Sequence, residues 1–531
     1  MKRYLLPLIY TTLLLFTGVI CANAQAPLIT MTTIDAPNYE GSISFSLSGS
    51  EEDFKSLLID AGYGKKPASA VDAEGNIPLK GNVVKIYGTC QGFVAPMDRL
   101  TNIEFAENDC IKQLSLMLNE FPQGLDVSNN KALENVSFMS CDMQSLDFSK
   151  LPATLKHLYL SNNELTSVDL SGLPRLETIY LDENPKIQTV DFSKNPYLNR
   201  INISSNPLIK SLDLTANNEL VVFEAWDCNL ESIDLSHTDL LENIAIKNSK
   251  VKNLKLGKTD NIQVLDISDN FIKKIPTTEM PALLSLSVAG NREMTSLDVT
   301  KCTDLISLSI DSTKIAEIDL SKSLALETLT ASKSALKSLD LSNTPMLSQL
   351  SIESCRSFTD LDISKNPRMR ILVIAGNKLG FDVTKKIATN LSDLLDTEDI
   401  AVWGVFLDGD PKDENKVSDE AVVIALKKKW EVVARNTQGD FYDYTGIGNG
   451  LKEIEKQPKG ALNIRVKGNN IEVNNLPQGY RKKVNIFDEN GNLIISGVTN
   501  NDAILFEGVE NLHGVFIAEC NGSVGKGITL L

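Results

Sequence analysis

A four-residue pattern, as in Leu339-Asp340-Leu341-Ser342, recurs through the middle of the chain at an almost fixed interval. Its second position falls at residues 126, 147, 169, 191, 213, 234, 255, 276, 298, 319, 340 and 362, so every step is 21 or 22 residues. The copies at 254–257 and 275–278 are degenerate. A repeat of this length predicts a solenoid, in which each turn buries its apolar residues only against its neighbours.

A second pattern, L-x-x-L-x-L-x-x-N, lies between these copies, for example at Leu176, Ile179, Leu181 and Asn184. Apolar residues two positions apart predict a short β strand. Side chains that both donate and accept hydrogen bonds can satisfy buried backbone groups where the chain turns after the strand. We therefore predict buried thiols, not disulfides, at the cysteines of this Asn position, which holds Asn163, Asn184, Asn206, Asn270, Asn291, Asn377, Cys141, Cys228, Cys355, Ser249, Ser334 and Thr313.

Together these patterns resemble the leucine-rich repeat over about residues 100–377, and the period resembles the internalin-J-like type. The resemblance implies a mainly β, right-handed solenoid of about 12–13 coils, whose strands form a concave parallel sheet. A repeat this short leaves no room for a full helix on the convex side. We therefore predict that the LDLS segment forms a second short strand.

The segments that flank the repeat predict further domains. Apolar and polar residues alternate in segments of 25–83, which predicts a β N-terminal cap before a solenoid at 84–377. Residues 378–443 are predicted as a mixed α/β C-terminal cap, with helices at 385–395 and 418–429 and a strand at 430–433, similar to caps on surface repeat proteins of the Bacteroidetes. A Gly-rich linker at 444–460 precedes an Ig-like β-sandwich at 461–531, where short strands alternate with turns.

Both ends of the chain predict export. Met1-Lys2-Arg3, an apolar run and Ala22-Asn23-Ala24 form a signal peptide over residues 1–24. No other run is long enough to span a bilayer, so no transmembrane span is expected in the mature chain. The string DENGNLI at 488–494 resembles the type IX secretion sorting domain, which implies contact with that secretion machinery and a place at the outer-membrane surface or in the medium. An accessory β domain is the alternative.

Composition argues against catalysis and against nucleic acid. The chain has 52 Lys and Arg against 69 Asp and Glu, a net charge of −17, so a clustered basic surface for phosphates is not expected. Its 3 histidines, His157, His237 and His513, are far apart, and no nucleophile lies in a recognisable catalytic motif. We predict no enzyme activity and no cofactor.

The Asp of the LDLS pattern is expected to point outward and to stack along the solenoid. Carboxylates ~4.8 Å apart repel by about 0.9 kcal/mol per pair in water, so something must offset the repulsion. One interpretation is bound Ca²⁺, which prefers carboxylate oxygens. We favour the other, that the Ser two residues along donates hydrogen bonds to the Asp. The calcium interpretation would involve Asp126, Asp147, Asp169, Asp191 and Asp213.

The outward positions of the predicted strands change character along the repeat. Later coils carry small residues, namely Ser285, Ser287, Ser307, Ser309, Thr328, Thr330 and Ser351. Earlier coils carry the residue types that anchor interfaces or stack on sugar rings. The alternative is that these large side chains only fill a curved inner surface. The predicted ligand-binding patch consists of Met139, His157, Tyr159, Tyr180, Asp182, Arg200, Asn202, Glu224 and Trp226.

The leading hypothesis is therefore a surface-exposed, non-enzymatic binding protein that holds a protein or glycan on the concave face. The resemblance to internalin-J-like proteins implies adhesion to host or bacterial cells and a role in virulence. The alternative is a structural component of a coat or biofilm matrix that acts by self-association.

Overall fold

The computed structural model describes the repeat region almost completely and the two ends in part. The chain divides into two compact units, residues 1–272 and 273–531. The predicted signal peptide and nearly all of the predicted linker lie outside the described residues. The described residues are 26–33, 42–68, 76–96, 100–394, 401–407, 412–435 and 441–444, together with seven strands between 463 and 528.

The first unit begins with antiparallel strands, as the alternation at 25–83 predicts. One sheet has the order Lys66–Pro67, Leu58–Asp60, Val83–Tyr87, Ile29–Thr33 and Leu100–Phe105. A second pairs Ser42–Ser44 with Asn76–Pro78. A short helix at Glu51–Ser56 was not predicted, although Ser50 and Asp53 form a capping box at its start.

Strands of three residues then stack in parallel, one from each turn. Ser46–Ser48 pairs antiparallel with Gly92–Val94, and the latter begins the parallel ladder. The central residue of each strand is buried, while most of the flanking residues are at least partly exposed. In the first unit the ladder continues through Gln113–Ser115, Asn135–Ser137, His157–Tyr159, Thr178–Tyr180, Arg200–Asn202, Val222–Glu224, Asn243–Ala245 and Val264–Asp266.

The second unit has its own parallel ladder. Both helices predicted between 378 and 443 are present, at Phe381–Asn390 and Asp419–Lys427, and the predicted strand at 430–433 spans Trp430–Arg435. Phe441–Asp443 adds an antiparallel strand after it. The ladder runs through Ser285–Ser287, Ser307–Ser309, Thr328–Thr330, Gln349–Ser351, Ile371–Val373, Ala401–Leu407 and Trp430–Arg435.

Buried amides at the Asn position tie successive turns together, as the sequence predicts. Asn206 has no exposed surface, and its Nδ2 donates to the carbonyls of Leu181 at 3.0 Å and Ile203 at 2.7 Å. Its Oδ1 accepts the N–H of Asn184 at 3.2 Å. The residue before the Asn position is left-handed in most turns, as at Ser205 with φ 56°. The amide thus satisfies backbone groups that the turn removes from the ladder.

The cysteines at this position are buried thiols, as predicted. The Sγ of Cys141 donates to the carbonyl of Leu116 at 3.0 Å, and that of Cys355 to Ala331 at 3.0 Å. Burial raises the pKa of Cys141 to about 11. Each thiol makes only one of the hydrogen bonds that an asparagine amide makes at this position, because a thiol has a single weak donor.

A second set of buried polar side chains, four residues after the second position of most LDLS copies, was missed by the sequence analysis. The Nδ2 of Asn195 donates to the carbonyls of Leu170 at 3.0 Å and Leu173 at 2.8 Å. Asn217 repeats the arrangement one turn later. The D-x-x-x-N spacing could have revealed it. The buried polar members and one thiol at this position are Asn130, Asn195, Asn217, Thr238, Thr259, Cys302, Ser323, Thr344 and Asn366.

The prediction of a second strand at every LDLS segment was wrong. Among the described residues, only Ser232–Leu235 and Asn253–Leu256 pair in this way. The Asp carboxylate accepts the N–H two residues on at unpaired segments, as at Asp169, and also at Asp234 in a paired one, so this hydrogen bond does not decide the pairing. The paired segments lie where Lys255 replaces Asp, and its Nζ is 2.7 Å from Oδ2 of Asp234.

The seven strands described between residues 463 and 528 form two antiparallel sheets. One contains Asn463–Lys467, Asn470–Asn474 and Ala503–Phe506. The other has the order Leu493–Thr499, Lys482–Phe487, Val515–Cys520 and Ser523–Ile528. Within the residues described, no helix is long and apolar enough to cross a membrane.

Candidate functional site

The predicted binding residues lie on the solvent side of the parallel ladder in the first unit. We call this set, Met139 to Trp226 as defined above, the aromatic patch. The strand register aligns Tyr159, Tyr180, Asn202 and Glu224 in one column. Most members are half-buried, so each presents one edge or polar end to solvent. The ladder therefore holds the patch residues that lie in its strands in fixed register.

Two tyrosines form the centre of the aromatic patch. The rings of Tyr159 and Tyr180 pack edge to face, with centroids 5.2 Å apart and planes at 75°. This is a favoured geometry for aromatic pairs. Burial raises the pKa of the Tyr159 hydroxyl, so it remains a neutral donor and acceptor at physiological pH.

Opposite charges lie next to the tyrosines. Burial raises the pKa of Glu224, while Arg200 lowers it and Asp182 raises it. Asp182 also accepts a 2.6 Å hydrogen bond from Oγ of Ser161. Arg200 is exposed, so its guanidinium can reach a ligand. The patch therefore offers a cation and two carboxylates beside apolar rings, which suits a partner with mixed polar and apolar groups.

Trp226 lies at the far side of the patch and has a cationic neighbour that the sequence analysis missed. Its backbone N–H donates to Oγ of Ser204 at 3.3 Å. The Nζ of Lys247 is 5.5 Å from the ring centroid, within range of a cation–π interaction. Lys247 occupies the same position of the repeat as Trp226, one turn later, so the strand frame could have identified it.

One predicted member, Asn202, is buried, while His157 and Met139 are half-buried like most of the patch. Asn202 is only 8% exposed, and its Oδ1 accepts the N–H of Ser204 at 3.0 Å. The side-chain amide bonds a neighbouring backbone group and is therefore turned away from a ligand, because short polar side chains readily bond the backbone in tight turns. His157 is half-buried, and desolvation lowers its pKa, which favours the neutral ring. Met139 is also half-buried.

The corresponding face of the second unit carries small hydroxyl side chains, as predicted. Oγ1 of Thr330 donates to Oγ of Ser309 at 2.7 Å, and Ser332 and Ser351 are linked by a 3.0 Å hydrogen bond. Asp311 was missed by the sequence analysis, and burial raises its pKa. These hydroxyls bond to one another, and no aromatic residue stands among the positions predicted there.

The outward Asp residues are occupied by the hydrogen bonds that the favoured interpretation predicts. Oδ1 of Asp126 accepts from the N–H of Ser128 at 2.9 Å and from its Oγ at 2.6 Å. Asp169 repeats both bonds with Ser171. These bonds lower the pKa of both carboxyls. In the part of the chain that the structure describes, no group of three or more His, Cys, Asp or Glu residues is placed to hold a metal ion.

Comparisons with known proteins agree with this fold. A family model described as leucine rich repeats (2 copies) matches residues 153–221. The functional domain of InlJ from Listeria monocytogenes, whose description includes a cysteine ladder, is 19% identical with a TM-score of 0.53. The match covers 84% of this chain and 93% of that one.

Two likenesses are weaker. An internalin, InlF, from Listeria monocytogenes is 18% identical with a TM-score of 0.41, and the match covers 65% of this chain and 86% of that one. YopM from Yersinia pestis is 21% identical with a TM-score of 0.43, and the match covers 52% of this chain and 78% of that one. A comparison with curated protein sequences gives no match. The chain therefore contains leucine-rich repeats at residues 153–221, and its mainly β solenoid fold of about 13 turns is similar to that of the InlJ functional domain.

Proposed function

We propose that this protein is an exported, surface-exposed binding protein without enzymatic activity, and that the aromatic patch holds a protein or glycan. The observation that carries the proposal is the packed pair Tyr159 and Tyr180 beside Arg200 and Trp226 on one face of the ladder. Tyr, Trp and Arg dominate the energetics of interfaces, because they bury large areas and still supply polar contacts.

Rigidity supports this use of the patch. Each patch strand is hydrogen-bonded on both sides in parallel register, and the buried amides of Asn184 and Asn206 fix the turns that follow. A ligand would therefore order few side chains on binding, which reduces the entropic cost of association. The flat rings and the neighbouring guanidinium suit either an aromatic-rich protein surface or the apolar face of a sugar.

We also propose export by the signal peptide at 1–24 and surface placement through a type IX sorting domain at 461–531, in a protein of Bacteroidetes origin. The charged, apolar and small-residue segments of the N-terminus support the first step. The DENGNLI string and the two antiparallel sheets between 463 and 528 support the second. On this proposal the partner is carried by host or bacterial cells, and adhesion contributes to virulence.

The test is binding of the purified full chain to epithelial and bacterial cells. We expect Tyr180→Ala with Trp226→Ala to weaken binding at least about thirtyfold, because one interface anchor is worth roughly 2 kcal/mol or more. The matched control is Tyr197→Ala with Phe271→Ala, which removes two aromatic rings that are 60% and 51% exposed outside the patch. Equal binding by both variants would show that the aromatic patch does not hold the partner.

The alternative role, self-association in a coat or matrix, predicts a different result. Assembly would then rise with protein concentration and would be the same in the patch variant and the wild type. Analytical ultracentrifugation over a wide concentration range separates the two. A chain that stays monomeric and binds cells through the patch supports the binding role.

A further inference from the structure

A pocket among the antiparallel strands at the start of the first unit carries chemistry that the aromatic patch does not use. It lies between the strands Leu58–Asp60 and Lys66–Pro67 of one sheet and the strand Asn76–Pro78 of the other, and its volume is about 180 Å³. An apolar cavity of about 150 Å³ holds benzene, so this pocket has room for one ring or one branched chain. We call it the N-terminal pocket, and its apolar walls are Ile59, Ala61, Pro67, Ile77 and Pro78.

Hydrogen bonds fix the hairpin that forms one side of the pocket. Oδ1 of Asp60 accepts the N–H of Gly62 at 2.9 Å and the N–H of Gly64 at 3.0 Å. The N–H of Lys80 donates to the carbonyl of Ala61 at 2.9 Å, which ties the hairpin to the chain that follows the strand from the other sheet. This wall is therefore held in place before a ligand binds, which reduces the entropic cost of binding.

Two lysines flank an aromatic ring that lines the pocket. Tyr63 is 54% exposed, and the Nζ atoms of Lys66 and Lys80 are 5.5 and 5.7 Å from the centroid of its ring. Neither lysine forms an ion pair with any residue that the structure describes, whereas Lys55 in the preceding helix pairs with Glu51 at 2.9 Å. The described lining of the pocket includes no carboxylate. Uncompensated positive charge therefore lies beside apolar walls, in a chain whose net charge is −17.

We propose that the N-terminal pocket binds a small organic acid, in which one ring or one branched chain is joined to an anionic group. The apolar walls and the ring of Tyr63 bury the body of the ligand, which is favourable in proportion to the area removed from water. Lys66 and Lys80 hold the anion at the mouth, because each ammonium group is a compact charge with three donors. An apolar molecule without a charge would leave both cations unmatched, and a bare anion would leave the walls in contact with water.

The site is tested by ligand-observed NMR titration of the full chain at low ionic strength, with phenylacetate as the probe and its uncharged isostere phenylacetamide as the matched ligand. Each lysine contributes roughly fivefold in affinity if its charge is about 4 Å from the anion in water, so phenylacetate should bind about 25-fold more tightly than the amide. Acetate, which lacks the ring, should not bind measurably. Lys66→Gln with Lys80→Gln should weaken phenylacetate to the affinity of phenylacetamide and leave the amide unchanged.

Two further variants separate the charge from the walls. Lys250→Gln with Lys252→Gln removes two exposed lysines elsewhere in the unit and should change the affinity for phenylacetate less than about twofold, because distant exposed charges are screened. Tyr63→Ala should weaken phenylacetate and phenylacetamide alike, by about fivefold if roughly 40 Å² of ring contact is lost. The substituted side chains are exposed, so every variant should melt at the wild-type temperature.

Three results would overturn the proposal. They are equal affinity for phenylacetate and phenylacetamide, absence of binding by both, and equal loss in the two lysine pairs. The variant Tyr180→Ala with Trp226→Ala distinguishes this site from the aromatic patch, since it should bind phenylacetate as the wild type does. Loss of phenylacetate binding in that variant would place the ligand on the patch and would also overturn the proposal.

Discussion

Replacing Asn206 with Ala tests how much the buried amides contribute to the fold. The carbonyls of Leu181 and Ile203 each keep a second partner, the Nδ2 of Asn184 at 3.1 Å and the Sγ of Cys228 at 3.3 Å. The two bonds that they lose are worth about 1 kcal/mol each, and the orphaned buried N–H of Asn184 costs about 2 kcal/mol. We therefore expect the free energy of unfolding to fall by about 4 kcal/mol.

The assay is urea denaturation followed by far-ultraviolet circular dichroism, with the slope compared between variants. Asn206→Cys should lose about 1 kcal/mol less than the Ala variant, because a thiol retains one carbonyl bond, as at Cys228. Asn218→Ala, at an exposed asparagine, should stay within about 0.5 kcal/mol of wild type. A loss below 1 kcal/mol for Asn206→Ala, with an unchanged slope, would refute the reasoning.

Three further predictions concern accessibility and charge. The other two tryptophans are at most 1% exposed, so acrylamide should quench the fluorescence of Trp226 alone, and Trp226→Phe should abolish the quenchable fraction. The thiols of Cys141 and Cys228, with pKa values of about 11, should resist iodoacetamide in the native protein and react in urea, as measured by mass spectrometry. Hydrogen bonds from Lys386 and then Ser364 lower the pKa of Asp362 from 3.8 to about 2. Its stabilising effect is therefore complete above about pH 4 and is lost as pH falls toward 2. Lys386→Ala should raise this pKa in an NMR titration and reduce the loss of stability on acidification, whereas an unchanged pKa would contradict the assignment.

The parallel ladder could be predicted because its determinants are local and periodic. Two inward apolar residues and an Asn, as in Ile179, Leu181 and Asn184, specify a strand and the turn that follows it. The second strand at each LDLS segment was mispredicted, because the alternating pattern does not show which segments pair, and among the described residues only those that carry Asp234 and Lys255 do.

The candidate site was predictable by position but not by exposure. The strand frame placed Tyr159 and Tyr180 side by side, and the structure gives their edge-to-face contact. It could not show that the amide of Asn202 turns back to its own backbone. Periodicity shows which positions are equivalent from one turn to the next, but it does not show where the side chain at such a position forms different hydrogen bonds.

Site-specific photo-crosslinking tests the binding role of the aromatic patch most directly. A photoreactive amino acid would replace Ala245, the ladder neighbour of Glu224, or Ala153, an exposed alanine outside the patch. The full chain would be irradiated on epithelial and bacterial cells, and the covalent products quantified. We predict a crosslinked cell-surface product from position 245 that Trp226→Ala abolishes, and little from position 153. Equal products from both positions, or a product at 245 that survives Trp226→Ala, would contradict binding through the patch.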